Sequence, residues 1–173
     1  MAHEDLRKGS DFSGRTMVMT GGTGVLGAEM AVALVRAGAD VVILARDPSR
    51  AGELQGRLKA GPGSGVLVPA DVLDKASLAA AATEIQARFG RIDALINAAG
   101  GNASAATTSP NQSFFDLPEE ALRQVMDLNL LGTVFACQVF GRMMAAQREG
   151  TVVNMASMAG FRPLTRTIAY SAA

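Results

Sequence analysis

Short apolar runs alternate with longer segments of helical periodicity along this chain, and that alternation admits few folds. Thr16-Met17-Val18-Met19, Val41–Ala45, Val66-Leu67-Val68, Ile92–Ile96 and Thr151–Met155 read as strands, short and bounded by turn residues. Leu26, Met30, Ala33, Leu34 and Ala37 recur at helical spacing before Gly38. Leu78, Ala82, Ile85 and Phe89 mark a second helix face that ends at Gly90, a typical stop signal. Further helices are expected over about Pro48–Lys59 and in two stretches, roughly Pro118–Leu128 and Asn129–Gln147, with a polar loop from Gly100 to Ser113 before them. Strands apolar on both faces need helices on both sides. The order therefore predicts an α/β fold, a Rossmann-type doubly wound parallel sheet of about five strands, whose ligands sit at the carboxyl ends of the strands. Residues 13–173 are read as one Rossmann-type domain and 1–12 as a flexible N-terminal segment.

Composition narrows the partners. With 49% hydrophobic residues, 173 residues can bury one sizeable core. Sixteen basic and sixteen acidic residues cancel, leaving no electrostatic footprint for nucleic acid. Cys137 has no internal disulfide partner, and Met1–Asp5, with His3 inside it, lacks the layout of a signal peptide. No uninterrupted apolar run approaches the roughly 18 residues of a membrane span. Leu130–Phe140 is interrupted by Gly132, Thr133 and Gln138. A soluble, cytoplasmic protein is expected. No His, Cys or carboxylate cluster has metal-ligand spacing, so no metal is expected.

Between the first strand and the first helix lies Thr20-Gly21-Gly22-Thr23-Gly24-Val25-Leu26-Gly27. Gly22, Gly24 and Gly27 have the G-x-G-x-x-G spacing. Missing side chains there permit a tight turn, close approach of a pyrophosphate to backbone, and close packing of helix on strand. The following helix start offers free N–H groups and a positive dipole end. The other chemically suggestive residues also fall at strand ends: Ala45-Arg46-Asp47, Asp71-Val72, Asn97-Ala98-Ala99-Gly100 and Ser157.

Taken in order, these motifs resemble the short-chain dehydrogenase/reductase family, from about Phe12 to the last residue. The carrying residues are T-G-G-T-G-V-L-G at Thr20–Gly27, A-D-V at Ala70–Val72, N-A-A-G at Asn97–Gly100, N-L-L-G at Asn129–Gly132, Ser157, and Tyr170-Ser171-Ala172-Ala173. The glycine loop, Gly101-Asn102 and the D-L-N-L-L-G-T run are similar to a branch named for D-mannonate oxidoreductase or fructuronate reductase. The resemblance implies hydride exchange between a nicotinamide and a carbonyl or secondary alcohol. Tyr170 then exchanges the hydroxyl proton, Ser157 hydrogen-bonds the reacting oxygen, and Asn129 bends a helix and serves a proton relay. Gly21, Gly22, Thr23, Gly24, Val25, Leu26 and Gly27 hold the cofactor phosphates. Asp71 and Val72 belong to the adenine end, and Asn97, Ala98 and Gly100 lie beside the ribose. Small-molecule turnover in a homo-oligomer is implied, the Leu130–Phe140 helix pairing across a dimer interface.

Ser157 and Tyr170 are thirteen residues apart, the family's usual separation. An ordinary tyrosine, with pKa near 10, is a poor base at neutral pH. Lowering it by about 2–3 units takes about 3–4 kcal/mol, which the family draws from the oxidised nicotinamide and a Lys four residues after the Tyr. The sequence ends at Ala173, one residue short of that Lys. The chain thus resembles a C-terminally truncated member, expected to turn over little on its own. The rival reading is a noncatalytic dinucleotide-binding or interaction module.

Each assignment has a plainer counterpart. Asn129 is also readable as a polar break between helices, Asp71 as a turn former, Asn97 as a strand terminator through local side-chain bonds, and Tyr170 as packing. Where the NAD ribose would meet an acid, this chain has Ala45 followed by Arg46, which points to NADP(H) over NAD(H). Asp47-Pro48 reads as an N-cap followed by proline at the first helical position. Arg162 and Arg166, between Ser157 and Tyr170, could pair with a substrate carboxylate such as that of a sugar acid, or be solvated loop residues.

Overall fold

A computed structural model describes residues 11–162 and 164–173. The expectations for residues 1–10, His3 among them, lie outside the described residues. Five strands form one parallel sheet in the order β3-β2-β1-β4-β5. They are β1 (Thr16–Thr20), β2 (Asp40–Ala45), β3 (Ser64–Pro69), β4 (Ala94–Asn97) and β5 (Thr151–Asn154). The order reverses between β1 and β4, paired from Met17↔Ala94 to Thr20↔Asn97, which opens the crevice where doubly wound sheets bind ligands.

Because side chains alternate across a strand, each apolar strand feeds two cores. Met17, Met19, Val41 and Ile43 face one side, against Val32 and Val35 of α1 (Val25–Arg36) and Leu54 and Leu58 at α2 (Leu54–Arg57). Val18, Val42 and Leu44 face the other, against Leu78 and Ile85 of α3 (Lys75–Phe89) and Phe140 and Met144 of α4 (Glu119–Gln147). Phe12 packs against the first cluster and donates its amide to the Ala37 carbonyl, so the packed domain already includes it. Gly38, at φ +95°, ends α1; a Cβ there would lie 2.6 Å from Ser13 Oγ. Asp74 caps α3 by accepting from the Ala76 amide, and left-handed Gly90 closes it.

Three element boundaries differ from the sequence reading. The expected Pro48–Lys59 helix is a 3₁₀ turn, Pro48–Ala51, followed by the short α2; Gly52, at φ +50°, separates them. The two expected helices after the polar loop are one continuous α4, whose register changes in a π-turn at Asp127–Leu131. Asn129 therefore sits inside a helix, where hydrophobic periodicity restarts without a break. At 29 residues, with a window of mean hydropathy 1.2, α4 also has the length and composition of a membrane span, contrary to the reading from uninterrupted runs. Its Ala136, Phe140 and Met144 are buried in the core. Third, β5 is an exposed edge along its whole length, including Val152 and Val153, where burial on both faces was expected.

The amino ends of β1, β4 and β5 are tied by charge. Asp93 accepts from Arg15 at 2.8 Å, from Arg91 and from the Thr16 amide, and Glu149 accepts from both arginines. Burial pushes the Asp93 carboxyl up, but these donors outweigh it and hold it below the usual carboxylate range. A depressed carboxyl stabilises the fold above the pH where unfolded aspartates titrate, about 4, and that contribution disappears as pH falls through the folded value. Asp93→Asn should cost about 1–3 kcal/mol at neutral pH and flatten the acid limb of the stability curve, measured by urea unfolding from pH 3 to 7.

Candidate functional site

The glycine loop turns where β1 ends, and sterics dictate its composition. Gly21 is at φ +67°, and a Cβ there would overlap the Ala98 carbonyl. A Cβ on Gly27 would overlap the Gly21 carbonyl, and one on Gly22 would lie 2.8 Å from Ile43 Cγ2. Gly24 is the permissive member, with only the Gly21 oxygen near, at 3.3 Å. The tight turn expected from the Gly22/Gly24/Gly27 spacing is thus supplied by Gly21, and close helix packing by Gly27. No side chain caps α1 at Gly24, and Thr23, Gly24, Val25 and Leu26 are exposed. Its first N–H groups open onto the crevice with a positive dipole end, and a Cβ-free cradle of this shape fits a dinucleotide pyrophosphate.

Opposite stands the Ala98–Gly101 turn. Thr20 Oγ1, buried at the end of β1, accepts from the amides of both Ala98 and Ala99 at 3.1 Å. Thr20 received no role in the sequence reading; a buried hydroxyl ending an apolar strand was the available signal. Asn129 clamps the far side: its Oδ1 accepts from the Gly101 amide at 2.9 Å, and its Nδ2 donates to the carbonyls of Gly101 at 2.8 Å and Val125 at 2.7 Å. The Thr133 hydroxyl donates back to the Asn129 carbonyl at 2.9 Å. A Cβ on Gly100 would lie 2.6 Å from Asn129 Oδ1, so a larger residue there would push the Asn129 amide off its clamp.

Ser157 follows β5 and accepts from the Ala159 amide at 3.2 Å. Tyr170 lies in α5 (Ile168–Ala172), its body against Ala106, Ala121, Val125 and Ala169. Both line a crevice of about 680 Å³ that also takes in Gly21, Gly24–Gly27, Ala98–Gly101, Asn129 and Asn154. Among the described residues, no charged side chain lines it. Asn154 is a lining residue the sequence reading missed; its Oδ1 accepts from Asn97 Nδ2 at 2.8 Å.

The remaining candidates lie outside that crevice wall. Asn97 is buried within β4 and bonds Asn154 and Cys137 across the sheet, so its side chain makes long-range contacts instead of the local bonds considered from sequence. Asp71 accepts from the Leu73 amide at 2.9 Å, the turn-forming arrangement. Val72 is buried beside Gly132, where a Cβ would lie 2.9 Å from Val72 Cγ2. Arg46 is exposed just past β2, and Asp47 caps the following turn through the Ser49 amide at 3.1 Å, as its Asp-Pro context indicates. Arg162 and Arg166 are exposed and do not line the crevice.

Comparison with known proteins bears on this geometry. Residues 15–173 match the family model described as short chain dehydrogenase. The chain belongs to the short-chain dehydrogenase family. An uncharacterised oxidoreductase, UxuB of Bacillus subtilis, is 39% identical over 171 residues, which cover 94% of this chain and 62% of the relative. D-threitol dehydrogenase of Mycolicibacterium smegmatis is 33% identical over 98% of this chain and 63% of its own length. A solved structure of a candidate D-mannonate oxidoreductase from Haemophilus influenzae, with NAD bound, superposes at TM-score 0.89 with 28% identity, covering 96% of this chain and 63% of that one. The chain thus spans a little under two thirds of the length of these relatives.

The loop sterics grade the glycines. Gly21→Ala and Gly27→Ala should each destabilise the chain by at least about 1–3 kcal/mol and abolish NADH binding, whereas Gly24→Ala should leave stability within about 1 kcal/mol. Thermal unfolding with NADH titration by fluorescence checks the ranking.

Proposed function

We propose that this chain carries the cofactor cradle and two catalytic residues of a nicotinamide-dependent oxidoreductase that interconverts a carbonyl and a secondary alcohol. The carrying observation is one crevice lined at once by the glycine loop, Asn129, Ser157 and Tyr170. Gly21, Gly22, Thr23, Gly24, Val25, Leu26 and Gly27 would hold the pyrophosphate, with Ala98 and Gly100 beside the ribose and Asp71 and Val72 toward the adenine. Asn97 acts from beneath, through the strand end it orders. A nicotinamide held there would supply or accept the hydride of the substrate carbon. Tyr170 donates or accepts the proton of the reacting oxygen, Ser157 donates a hydrogen bond to it, and Asn129 fixes the turn that borders them.

Arg46 supports NADP(H) over NAD(H). It is exposed beside the end of β2, and the adjacent Asp47 caps the following turn. A guanidinium at that point pairs with a ribose 2′-phosphate and offers nothing specific to a bare 2′-hydroxyl. The substrate is proposed to be a polyhydroxylated small molecule, in particular a sugar acid, with Arg162 or Arg166 as the partner for its carboxylate. D-threitol dehydrogenase and the D-mannonate oxidoreductase candidate are relatives whose names carry such substrates. We place the protein in the cytoplasm as a homo-oligomer; Leu130, Leu131 and Val134 of α4, partly exposed, suit the contact between copies.

One observation favours a second, noncatalytic reading of the 173-residue chain. Among the described residues no charged side chain lines the crevice beside Tyr170, whereas charge that develops during proton transfer is met by fixed charge of the opposite sign. Dinucleotide binding without appreciable turnover is therefore the expected behaviour of the chain alone.

Isothermal titration separates the parts of this reading. Arg46→Ala should weaken NADPH binding by about tenfold or more and change NADH binding less than twofold. Equal losses for both overturn the phosphate assignment. Tyr170→Phe and Ser157→Ala should leave both affinities near those of the unsubstituted chain.

A further inference from the structure

Two residues other than glycine hold a left-handed backbone among the described residues, Arg148 at φ +60° and Arg166 at φ +75°. Such conformations are uncommon for side chains larger than Asn or Asp, and an outlier of this kind invites a functional account when the fold supplies none. For Arg148 the fold supplies one. It closes α4, and its amide bonds the Ala145 carbonyl at 3.1 Å, the usual left-handed ending of a helix. Arg166 closes no helix; it lies after the Met158–Gly160 turn and before α5.

The backbone at Arg166 is nevertheless pinned. Its carbonyl accepts from the Thr108 amide at 3.0 Å. That bond joins the segment between Ser157 and Tyr170 to the polar loop whose Gly101 end is clamped by Asn129. Any residue can supply the carbonyl, and Gly or Asn would supply it with less strain. The long cationic side chain is exposed and makes no ion pair among the described residues, so nothing inside the fold accounts for it. Arg162 differs: its amide continues the turn to the Met158 carbonyl at 2.9 Å, and its φ is not left-handed.

Building on the oxidoreductase reading, we infer that Arg166, and not Arg162, is the specificity-determining cation of the site. It takes the carboxylate of a sugar-acid substrate from the segment that runs from Ser157 to Tyr170, four residues before Tyr170. The left-handed backbone and the Thr108 tether fix where the guanidinium leaves the chain, so a bidentate pair forms with little further ordering.

The experiment titrates D-gluconate into the 173-residue chain saturated with NADPH, following saturation-transfer NMR, with sorbitol as the uncharged counterpart and NADPH affinity measured separately. Arg166→Gly should weaken gluconate at least tenfold and leave sorbitol and NADPH unchanged. It should also leave Tm unchanged or raise it by up to about 3 °C. Arg162→Ala should change gluconate less than twofold. Equal effects of the two substitutions, loss of sorbitol alongside gluconate, or a fall in Tm for Arg166→Gly overturns the inference. Should the unsubstituted chain bind NADPH but not gluconate, the arginine assignment falls and the dinucleotide reading stands. Should it not bind NADPH, the dinucleotide reading falls, and Arg166's role with it.

Discussion

The arrangement of the site depends on a steric interlock at the end of β1. Three backbone segments meet there without room for a single Cβ: the Gly21 turn, the start of α1 at Gly27, and the carbonyl of Ala98 after β4. Because β1 lies between β2 and β4, this one junction sets where the first helix begins and how near the β4 turn comes to it. Thr20 reinforces it with a single hydroxyl that accepts from two successive amides. The result is a cradle whose walls are backbone, and backbone geometry does not vary with side-chain rotamers. A phosphate site made this way is organised before its ligand arrives.

From that junction the remaining functional elements are placed by relays of polar contacts. Asn129 carries the constraint from the β4 turn to α4 through both ends of its amide. Asn97 does the equivalent beneath the surface, joining β4 to β5 through Asn154 and reaching α4 through Cys137. Its own Oδ1 has no partner among the described residues. Ser157 sits beyond the Asn97–Asn154 link, after an exposed edge strand, whereas Tyr170 is held by apolar packing on a five-residue helix. The cradle is held by the central strands, and the side chains proposed to be catalytic by the periphery.

That division explains what was legible in the sequence. Strand identity, sheet type and the glycine loop could be read because buried parallel strands are apolar throughout and because a turn without side chains has a spacing of its own. Asp47 was legible for a similar reason, as Asp-Pro has one natural position at a helix start. The continuity of α4 was not, since a π-turn adds a residue to the helix and shifts the hydrophobic stripe, which mimics a break at Asn129. The roles of Thr20 and Asn154 were hidden because each acts through partners distant in the chain, 78 residues from Thr20 to Ala98 and 57 from Asn97 to Asn154. Gly21 was included in the loop, but that it carries the turn depends on the position of Ala98, which only the β1–β4 pairing reveals.

The crevice offers one half of an oxidoreductase's electrostatics. Neutral donors and the amino end of α1 suit a pyrophosphate, which brings its own negative charge and needs only N–H groups directed at it. Proton transfer at Tyr170 has the opposite need, because an anion develops on the protein and must be met by fixed positive charge. Among the described residues lining the crevice, none carries such charge. The two proposed tasks thus make separate demands on this fold, cofactor recognition on the interlocked centre of the sheet and proton transfer on positive charge at its rim.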